Sequence, residues 1–503
     1  MGARVDLGDA AVRADVATRL GRVYAGRPVL LAVGALSSAT GPVRWLRALG
    51  CRVLVVCTTT GLAEVPGPGE AEVVRVPAPE GTSVTELLRS PDRLFRTLPP
   101  YALAAIEAFD PERRGVWLAT PSLTDDEPIV GRPVTGGRPA AFAALEDKVR
   151  ADDVFRAAGV PTVPARVVGL DLPALVAATA EVGGPLGVVW AGDARDGVNG
   201  GGDYVRWVAT GSDARAAFAF FAPRCDRVRV APFLDGVPCS VHGLVLPDGT
   251  AAFRSVEIAT LRDPAGRTFV HAGLGTYWDP PAADRAEMRA VVRRVGEHLR
   301  AACSYRGAFG IDGVLTVDGF RPTELNPRLS AGLTTLADLD PRLLTFLQAA
   351  LVAQHDPGLG VAEVETLLPR MDARRSGLAV ALAPSLAPSL APGLEVGPTH
   401  DLPVTWDGRT LHRSPTASDA VVALAATPRG VLARLVPGTL LHAGDRLADL
   451  SVALADLLAD LLADLLADRL PEPPPDPPAD RLDREHGAGA GRLEAAPDVR
   501  VRA

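Results

Sequence analysis

Oxygen-donating side chains lie close together in one short stretch of the sequence, Thr323-Glu324-Leu325-Asn326-Pro327-Arg328. In an extended strand, Glu324 and Asn326 are two residues apart and therefore point to the same face. Asp312 lies upstream, across an expected turn at Asp318-Gly319, which places it on the neighbouring strand of a hairpin. Two carboxylates and one amide oxygen are the hard ligands that suit Mg²⁺ bound partly through phosphates. An exposed polar strand end is the alternative interpretation of this spacing.

Three further groups in the chain suit a phosphate. Arg328 follows a proline and can fork onto a phosphate or a carboxylate. Lys148 is the one lysine among 52 Lys+Arg residues, and its compact ammonium can neutralise phosphate charge. The run Asn199-Gly200-Gly201-Gly202 can bring backbone N–H groups close to a phosphate. Taken singly, the lysine also fits a solvated helix surface, and the glycine run also fits a surface turn.

Elements of a parallel sheet precede these residues. Val29–Val33 and Arg52–Cys57 are short apolar runs typical of buried strands, and Pro42–Leu49 between them suits a helix. The spacing predicts a βαβ unit, and the absence of a G-x-G-x-x-G pattern after its first strand gives no support for a dinucleotide site. Residues 140–158 predict one helix that carries Lys148.

The remaining elements surround the glycine run and the carboxylates. Strands are predicted at Gly187–Trp190, Tyr204–Val208, Val228–Phe233 and Ser240–Leu246, a long amphipathic helix at Ala283–Ser304, and a hairpin at Ala308–Val317 and Phe320–Asn326. Two tetrad repeats follow, one over Leu382–Leu394 and one over Ala455–Leu470, and the second predicts a helix with a leucine stripe. The proline-rich segment 471–503 is typical of a disordered tail.

Composition limits the function classes. The chain has 503 residues, 47% of them hydrophobic and 22% charged, so it predicts several packed domains and not a disordered chain. A net charge of −8 gives no overall basic field, so we expect neither a nucleic-acid partner nor an anionic membrane surface. No apolar run is long enough to span a membrane. Five cysteines without metal or redox spacing, and a polar N-terminus, indicate a cytoplasmic protein.

The order of the motifs resembles the ATP-grasp superfamily, in particular its carboxylate–amine ligases. In that family a D-K pair on a helix opens the nucleotide-binding fold, a glycine-rich hairpin closes over the triphosphate, and a late strand carries E-x-N-P-R with an acidic residue upstream. The corresponding residues are Asp147-Lys148, Asn199–Gly202, Glu324–Arg328 and Asp312, and the resemblance extends over residues 27–350.

The resemblance implies an α/β chain. We expect a Rossmann-like domain that precedes the ATP-grasp fold over 1–140, a lid or central subdomain over 141–235, a C-terminal ATP-grasp subdomain over 236–375, an extension over 376–470 and a tail over 471–503. It implies ATP and Mg²⁺ as cofactors and amide-bond formation through an acyl phosphate, from a small carboxylate and a small amine. Homo-oligomerisation stays open. The implied site residues are Arg328 and Lys148 for catalysis, Lys148, Asn199, Gly200, Gly201, Gly202, Phe233 and Leu234 for the nucleotide, and Asp312, Glu324 and Asn326 for the metal.

Two positions depart from the family pattern. Trp190 stands where the family usually has a second lysine, and Ala231-Pro232 stands where the adenine-binding strand usually has a glutamate. These departures motivate an alternative, a nucleotide-binding sensor or partner subunit without ligase activity. A substrate carboxylate also needs a cation, for which Arg306, Arg262 and His271 are the nearest candidates in the sequence, each with a structural role as the alternative.

Overall fold

The structure is a computed structural model that describes residues 5–467 apart from 62, 79–82, 120–122, 264, 337–338, 384–399, 417 and 428–429. Residues up to Ala459 form one compact unit. A second unit begins at Asp460, and it is described over 460–467, where it is helical. Across the described residues, no helix is both long and apolar enough to cross a membrane.

An open parallel sheet forms the N-terminal part of the described chain. Its strands are β1 (Pro28–Ala35), β2 (Arg52–Thr59), β3 (Glu72–Arg75), β4 (Val116–Leu118) and β5 (Val134–Thr135), in the order β3-β2-β1-β4-β5. Its helices are α1 (Ala10–Gly21), α2 (Thr40–Ala48), α3 (Val84–Arg96) and α4 (Pro100–Phe109). Alternate residues of β1 enter opposite apolar clusters, with Val29 packed on the α2 side and Leu30 on the side of α3 and α4. The predicted βαβ unit is confirmed by these strands and α2.

A small antiparallel sheet follows. Two short helices come first, α5 (Ala140–Ala143) and α6 (Ala151–Ala157), and then β6 (Arg166–Gly169), α7 (Leu172–Val182), β7 (Val188–Gly192), β8 (Val205–Val208), α8 (Gly211–Phe221) and β9 (Arg227–Pro232). The strand order is β6-β9-β7-β8, and α7 and α8 pack on one face around Trp190 and Phe221. The glycine run lies in the connection between β7 and β8.

A large antiparallel sheet makes up the remainder. Its strands are β10 (Val237–Leu246), β11 (Gly249–Ala252), β12 (Val256–Asp263), β13 (Thr268–Gly275), β14 (Gly307–Thr316), β15 (Gly319–Asn326), β16 (Gly377–Ala383), β17 (His400–Trp406), β18 (Leu411–Arg413), β19 (Ala420–Thr427) and β20 (Gly430–Leu435). The order is β15-β14-β10-β12-β13-β16-β20-β19-β17-β18, with β11 paired to β10. Its helices are α9 (Ala282–Cys303), α10 (Ala331–Thr335), α11 (Pro341–Val352), α12 (Val361–Val364), α13 (Leu368–Ala373) and α14 (Leu447–Ala467).

The start of α14 is fixed by a buried carboxylate on β12. Glu257 is fully buried and accepts hydrogen bonds from the Leu447 amide at 2.8 Å and the Ala448 amide at 3.3 Å. The Arg446 Nε donates to the same carboxylate at 2.8 Å. A negative charge at the first turn of a helix satisfies its free N–H groups and its dipole.

One sequence expectation needs correction. The helix expected over 140–158 is interrupted, because Asp147 adopts an extended backbone and its carboxylate accepts hydrogen bonds from the amides of Val149 and Ala194. The C-terminal extension expected over 376–470 begins with β16, which pairs with β13 and continues the large sheet. The helix expected from the second tetrad repeat is confirmed as far as residue 467. The first repeat from residue 384 onward and the tail 471–503 lie outside the described residues, and the domain boundaries stay predictions.

Candidate functional site

The carboxylates of the predicted metal set face each other across the β14–β15 hairpin. Asp312 pairs directly with Glu324, and the register shifts at the next residue, so a β-bulge follows Asp312. Asn326 lies two residues beyond Glu324, and its Nδ2 donates to Asp312 Oδ2 at 3.0 Å. The hairpin therefore brings all three predicted metal ligands, Asp312, Glu324 and Asn326, to one place.

Burial makes these two carboxylates costly to ionise. It raises the pKa of Asp312, and the Ser240 hydroxyl and the charge of Lys148 offset this rise in part. Burial also raises the pKa of Glu324; Lys148 opposes this rise, and the neighbouring charge of Asp312 adds to it. A divalent cation between them would supply the missing positive charge, so the donor set fits Mg²⁺. No group of three His, Cys, Asp or Glu side chains suited to a metal occurs in the described chain, and this set needs the amide of Asn326 as its third member.

Lys148 lies beside the carboxylates of the predicted metal set. Lys148 follows the break in the helix, is 5% exposed, and places its Nζ 2.5 Å from Glu324 Oε1. Its Nζ also donates to the Asn199 carbonyl at 3.4 Å, which links it to the glycine run. Residues that are far apart in the sequence thus surround one ammonium group.

A buried carboxylate orients Arg328. Glu146 accepts from Arg328 Nε at 3.0 Å and from Arg328 Nη2 at 2.8 Å, and its other oxygen is bound by Arg138. Burial would raise the pKa of Glu146, but the two guanidinium groups outweigh it and hold that pKa below its ordinary value. Arg328 Nη2 also donates to Asn326 Oδ1 at 3.1 Å, so this ion cluster is joined to the metal set.

The glycine run places free amides near the lysine. Gly201 and Gly202 have φ of +63° and +80°, the left-handed region that favours glycine. Within the described chain their N–H groups have no hydrogen-bond partner, and both residues line the same cleft as Lys148. Adjacent free N–H groups beside a cation form an anion-binding concavity. We call residues 197–203 the glycine loop.

These groups line one cleft of about 760 Å³. Phe233 and Leu234, predicted to contact adenine, are on its wall, as are Arg262 and His271. Arg306 is not among its lining residues.

Trp190 is fully buried in the helix-covered face of the small sheet, where its Nε1 donates to Thr179 at 2.9 Å. The strand alternation instead places Val189 and Ala191 on the cleft side, so Trp190 does not replace a cleft lysine.

Asn199 was predicted to contact the nucleotide, but its side chain faces away from the cleft wall. Its side chain is not part of the cleft wall; Nδ2 donates to the Asp193 carbonyl at 2.7 Å, and Oδ1 accepts from Arg89. It anchors the base of the glycine loop and presents its backbone carbonyl to Lys148.

Sequence reasoning missed several residues of the cleft and its support. Glu146 lies directly before the D-K pair, and its place two residues before the catalytic candidate Lys148 could have drawn attention to it. Arg229 lines the cleft and forms a two-point ion pair with buried Asp152, at 2.6 and 2.8 Å. Arg446, from the start of α14, also lines it, and its two terminal nitrogens have no hydrogen-bond partner among the described residues. No local sequence pattern marks Arg229 or Arg446, because contacts between segments far apart in the sequence place them at the cleft.

Solved structures resemble this chain at low sequence identity. Pyruvate carboxylase from Rhizobium etli aligns with 85% of the chain at 16% identity with a TM-score of 0.50, and the match spans 36% of that longer protein. N5-carboxyaminoimidazole synthetase from Staphylococcus aureus, complexed with ADP, covers 88% of this chain and 97% of its own at 10% identity and a TM-score of 0.48. Phosphoribosylglycinamide synthetase from Anaerococcus prevotii covers 88% of this chain and 98% of its own, at 12% identity and a TM-score of 0.44. No protein-family model matches the sequence, and neither does any curated protein sequence.

Proposed function

Because the chain has the ATP-grasp fold, we propose that it is an ATP- and Mg²⁺-dependent carboxylate–amine ligase that forms an amide bond through an acyl phosphate. The observation that carries this proposal is the convergence of Lys148, the glycine loop and the Asp312/Glu324/Asn326 set on one cleft. Phosphoryl transfer requires mainly positioning and charge neutralisation from a protein, and this cleft supplies groups for both.

The nucleotide would occupy the cleft with its phosphates near the glycine loop. The free amides of Gly201 and Gly202 would donate to phosphate oxygens, and Lys148 would neutralise their charge. Phe233 and Leu234, at the end of β9, would contact the adenine. Asn199 would support the loop through its side chain and need not touch the nucleotide.

Asp312, Glu324 and Asn326 would hold Mg²⁺, which supplies charge neutralisation between phosphate oxygens. Arg328 is held by Glu146 through Nε and Nη2, and its Nη1 has no hydrogen-bond partner among the described residues. That nitrogen is therefore available to bind the transferred phosphoryl group or the acyl phosphate.

The reaction takes place in two steps. An oxygen of the substrate carboxylate attacks the γ-phosphorus of ATP, and ADP leaves. The amine nitrogen then attacks the acyl carbon, the C–O bond to phosphate breaks, and the amine loses a proton. Arg446 on the cleft wall, whose two terminal nitrogens have no hydrogen-bond partner among the described residues, is the cation that we propose for the carboxylate of the acid substrate. Arg262 lies 5.8 Å from the centre of the Phe233 ring and therefore belongs to the adenine end of the cleft.

The proposal is tested by ADP formation from ATP and Mg²⁺ with mixtures of carboxylic acids, amino acids and amines. We expect Glu324→Gln to abolish Mg²⁺-dependent ADP formation and Asp318→Asn to leave it unchanged, since Asp318 lies in the exposed turn of the same hairpin. Circular dichroism of both variants checks the fold. ADP formation that persists in Glu324→Gln and in Lys148→Ala refutes the assignment of the site, and tight ATP binding without ADP release on any mixture favours a sensor.

The chemistry of the cysteines agrees with the cytoplasmic location that we propose. All five cysteines are free, and four of them are buried. A reducing compartment keeps such thiols unpaired. Fractionation of the producing cells, with the protein followed by antibody, tests this location.

A further inference from the structure

Helix α3 of the N-terminal part contacts the glycine loop through an arginine. The guanidinium of Arg89 donates to the Val198 carbonyl at 2.9 Å and to the Gly197 carbonyl at 3.0 Å, and it also binds Asn199 Oδ1. The same guanidinium lies 5.2 Å from the centre of the Tyr204 ring, just beyond the loop. One side chain thus binds three successive residues of the loop.

A second residue of α3 binds the other half of the loop. Thr85 is fully buried, its hydroxyl lies 3.3 Å from the Gly200 carbonyl, and the Gly200 amide donates to it at 3.2 Å. The Thr85 amide, one of the free N–H groups of the first helical turn, donates to Asp203 Oδ2 at 2.7 Å. The glycine loop therefore caps α3, and α3 in turn fixes the ends of the loop.

These contacts decide which groups the loop presents to the cleft. They engage the carbonyls of residues 197, 198 and 200 and the amide of Gly200, and Lys148 takes the Asn199 carbonyl. The amides of Gly201 and Gly202 have no hydrogen-bond partner in the part of the chain that the structure describes. The backbone also runs close to α3, since a Cβ built on Gly201 would lie 2.5 Å from the Val84 Cβ.

We propose that Arg89 and Thr85 are positioning residues of the nucleotide site, which hold the glycine loop in the conformation that binds phosphates. The inference rests on the proposed function, because it assumes that the loop receives a nucleotide. A loop rich in glycine loses much conformational freedom on ordering, and contacts that order it beforehand reduce this loss on binding. The nucleotide site is thereby composite, since one wall of its phosphate region belongs to the parallel-sheet part of the chain.

The test compares Arg89→Met and Thr85→Val with Arg93→Gln in the full chain. Arg93 is one turn further along α3 and exposed, so it is a matched control. Hydrogen exchange without nucleotide should rise in peptides covering 197–203 for both test variants and not for the control. If the loop of Arg89→Met holds the phosphate-binding conformation for about one tenth of the time, the Kd for ADP with Mg²⁺, measured by calorimetry, rises about tenfold. Arg89→Lys keeps the charge but not the fork, and we expect it to resemble Arg89→Met.

The outcomes separate this inference from the proposed function. A wild-type chain that binds neither ATP nor ADP refutes the proposed function and this inference with it. A wild-type chain that binds ADP, together with an Arg89→Met variant of unchanged exchange and unchanged Kd, overturns the inference alone. Raised exchange over the whole of α3 and the parallel sheet, with a lower urea midpoint, would show a purely structural role and also overturn it.

Discussion

The carboxylate of Glu146 lies between the guanidinium groups of Arg138 and Arg328, and Glu146→Gln removes its charge with little change of shape. The Glu146 side chain is fully buried, while those of Arg138 and Arg328 are 6% and 16% exposed. Removing one partner of a buried ion pair leaves uncompensated charge and costs about 3–5 kcal/mol. We therefore expect Glu146→Gln to lower the free energy of unfolding by about that amount.

The effect depends on pH with a defined sign. The pKa of Glu146 is lower in the folded chain than its ordinary value of 4.5, so the charge stabilises the fold above that pH. As pH falls below 4.5 and through the folded-state pKa, the wild-type protein takes up the proton and loses this stabilisation. The difference between wild type and Glu146→Gln should therefore be largest at neutral pH and shrink in acid.

Urea unfolding followed by tryptophan fluorescence measures the difference. With a slope of about 3 kcal/mol per molar urea, the midpoint shifts by about 1–1.7 M at pH 7. Glu181→Gln is the control, because its ion pair with Arg166 is about half exposed and should contribute less than about 1 kcal/mol. A shift for Glu146→Gln no larger than that of the control, or one that does not shrink in acid, refutes the electrostatic reasoning.

Three further predictions follow from separate contacts. Gly201→Ala places a side chain at φ +63° beside Val84, so we expect a loss of about 1–2 kcal/mol by thermal unfolding and weaker ADP binding; unchanged values of both would contradict the loop geometry. Trp190→Phe removes a buried hydrogen bond worth about 1 kcal/mol but should change the Kd for ADP less than twofold, whereas a large change would place this residue at the cleft. Ellman's reagent should modify one thiol per native chain, Cys303, and five after denaturation. The other four thiols are buried, and burial raises the pKa of Cys225 to about 12. Two fast-reacting thiols in the native chain would contradict the burial of these four.

Local sequence patterns predicted the elements that carry the site. The Asp318-Gly319 turn and the flanking apolar runs gave the β14–β15 hairpin within one or two residues, because a strand alternation and a tight turn are both local signals. Register counted from that turn would place Asp312 opposite Thr323, because Gly313 pairs with Pro322; a one-residue register shift between Asp312 and Gly313 instead brings Glu324 opposite Asp312, and no local pattern predicted that shift. That Glu324 and Asn326 share one face of the strand was predictable. Which charged groups approach them from other elements was not.

Helix α3 shows why the sequence analysis missed part of the candidate site. Pro91 lies inside the helix, and a proline at such a position usually argues against one. The pattern Ser83-x-x-Glu86 is a helix-start signal, and the Ser83 hydroxyl indeed accepts from the Glu86 amide at 3.1 Å. Even with α3 predicted, its contact with the glycine loop depends on a separation of more than 100 residues, which no local pattern contains.

The interrupted helix around Lys148 has a similar cause. Its residues favour a continuous helix, but the Asp147 carboxylate accepts a hydrogen bond from the Ala194 amide in the connection between β7 and β8, and Lys148 pairs with Glu324. Tertiary contacts of charged groups here outweigh a helix preference of a few tenths of a kcal/mol per residue.

The junction between β13 and β16 makes the cleft dependent on the last quarter of the chain. A protein shortened before residue 377 would leave Gly273–Gly275 as an open sheet border, with bare N–H and C=O groups available to another molecule. The same cut would take away every donor that the structure shows on the buried carboxylate of Glu257. We would therefore expect truncated versions to aggregate, so a minimal folded fragment must extend at least through the first turn of α14.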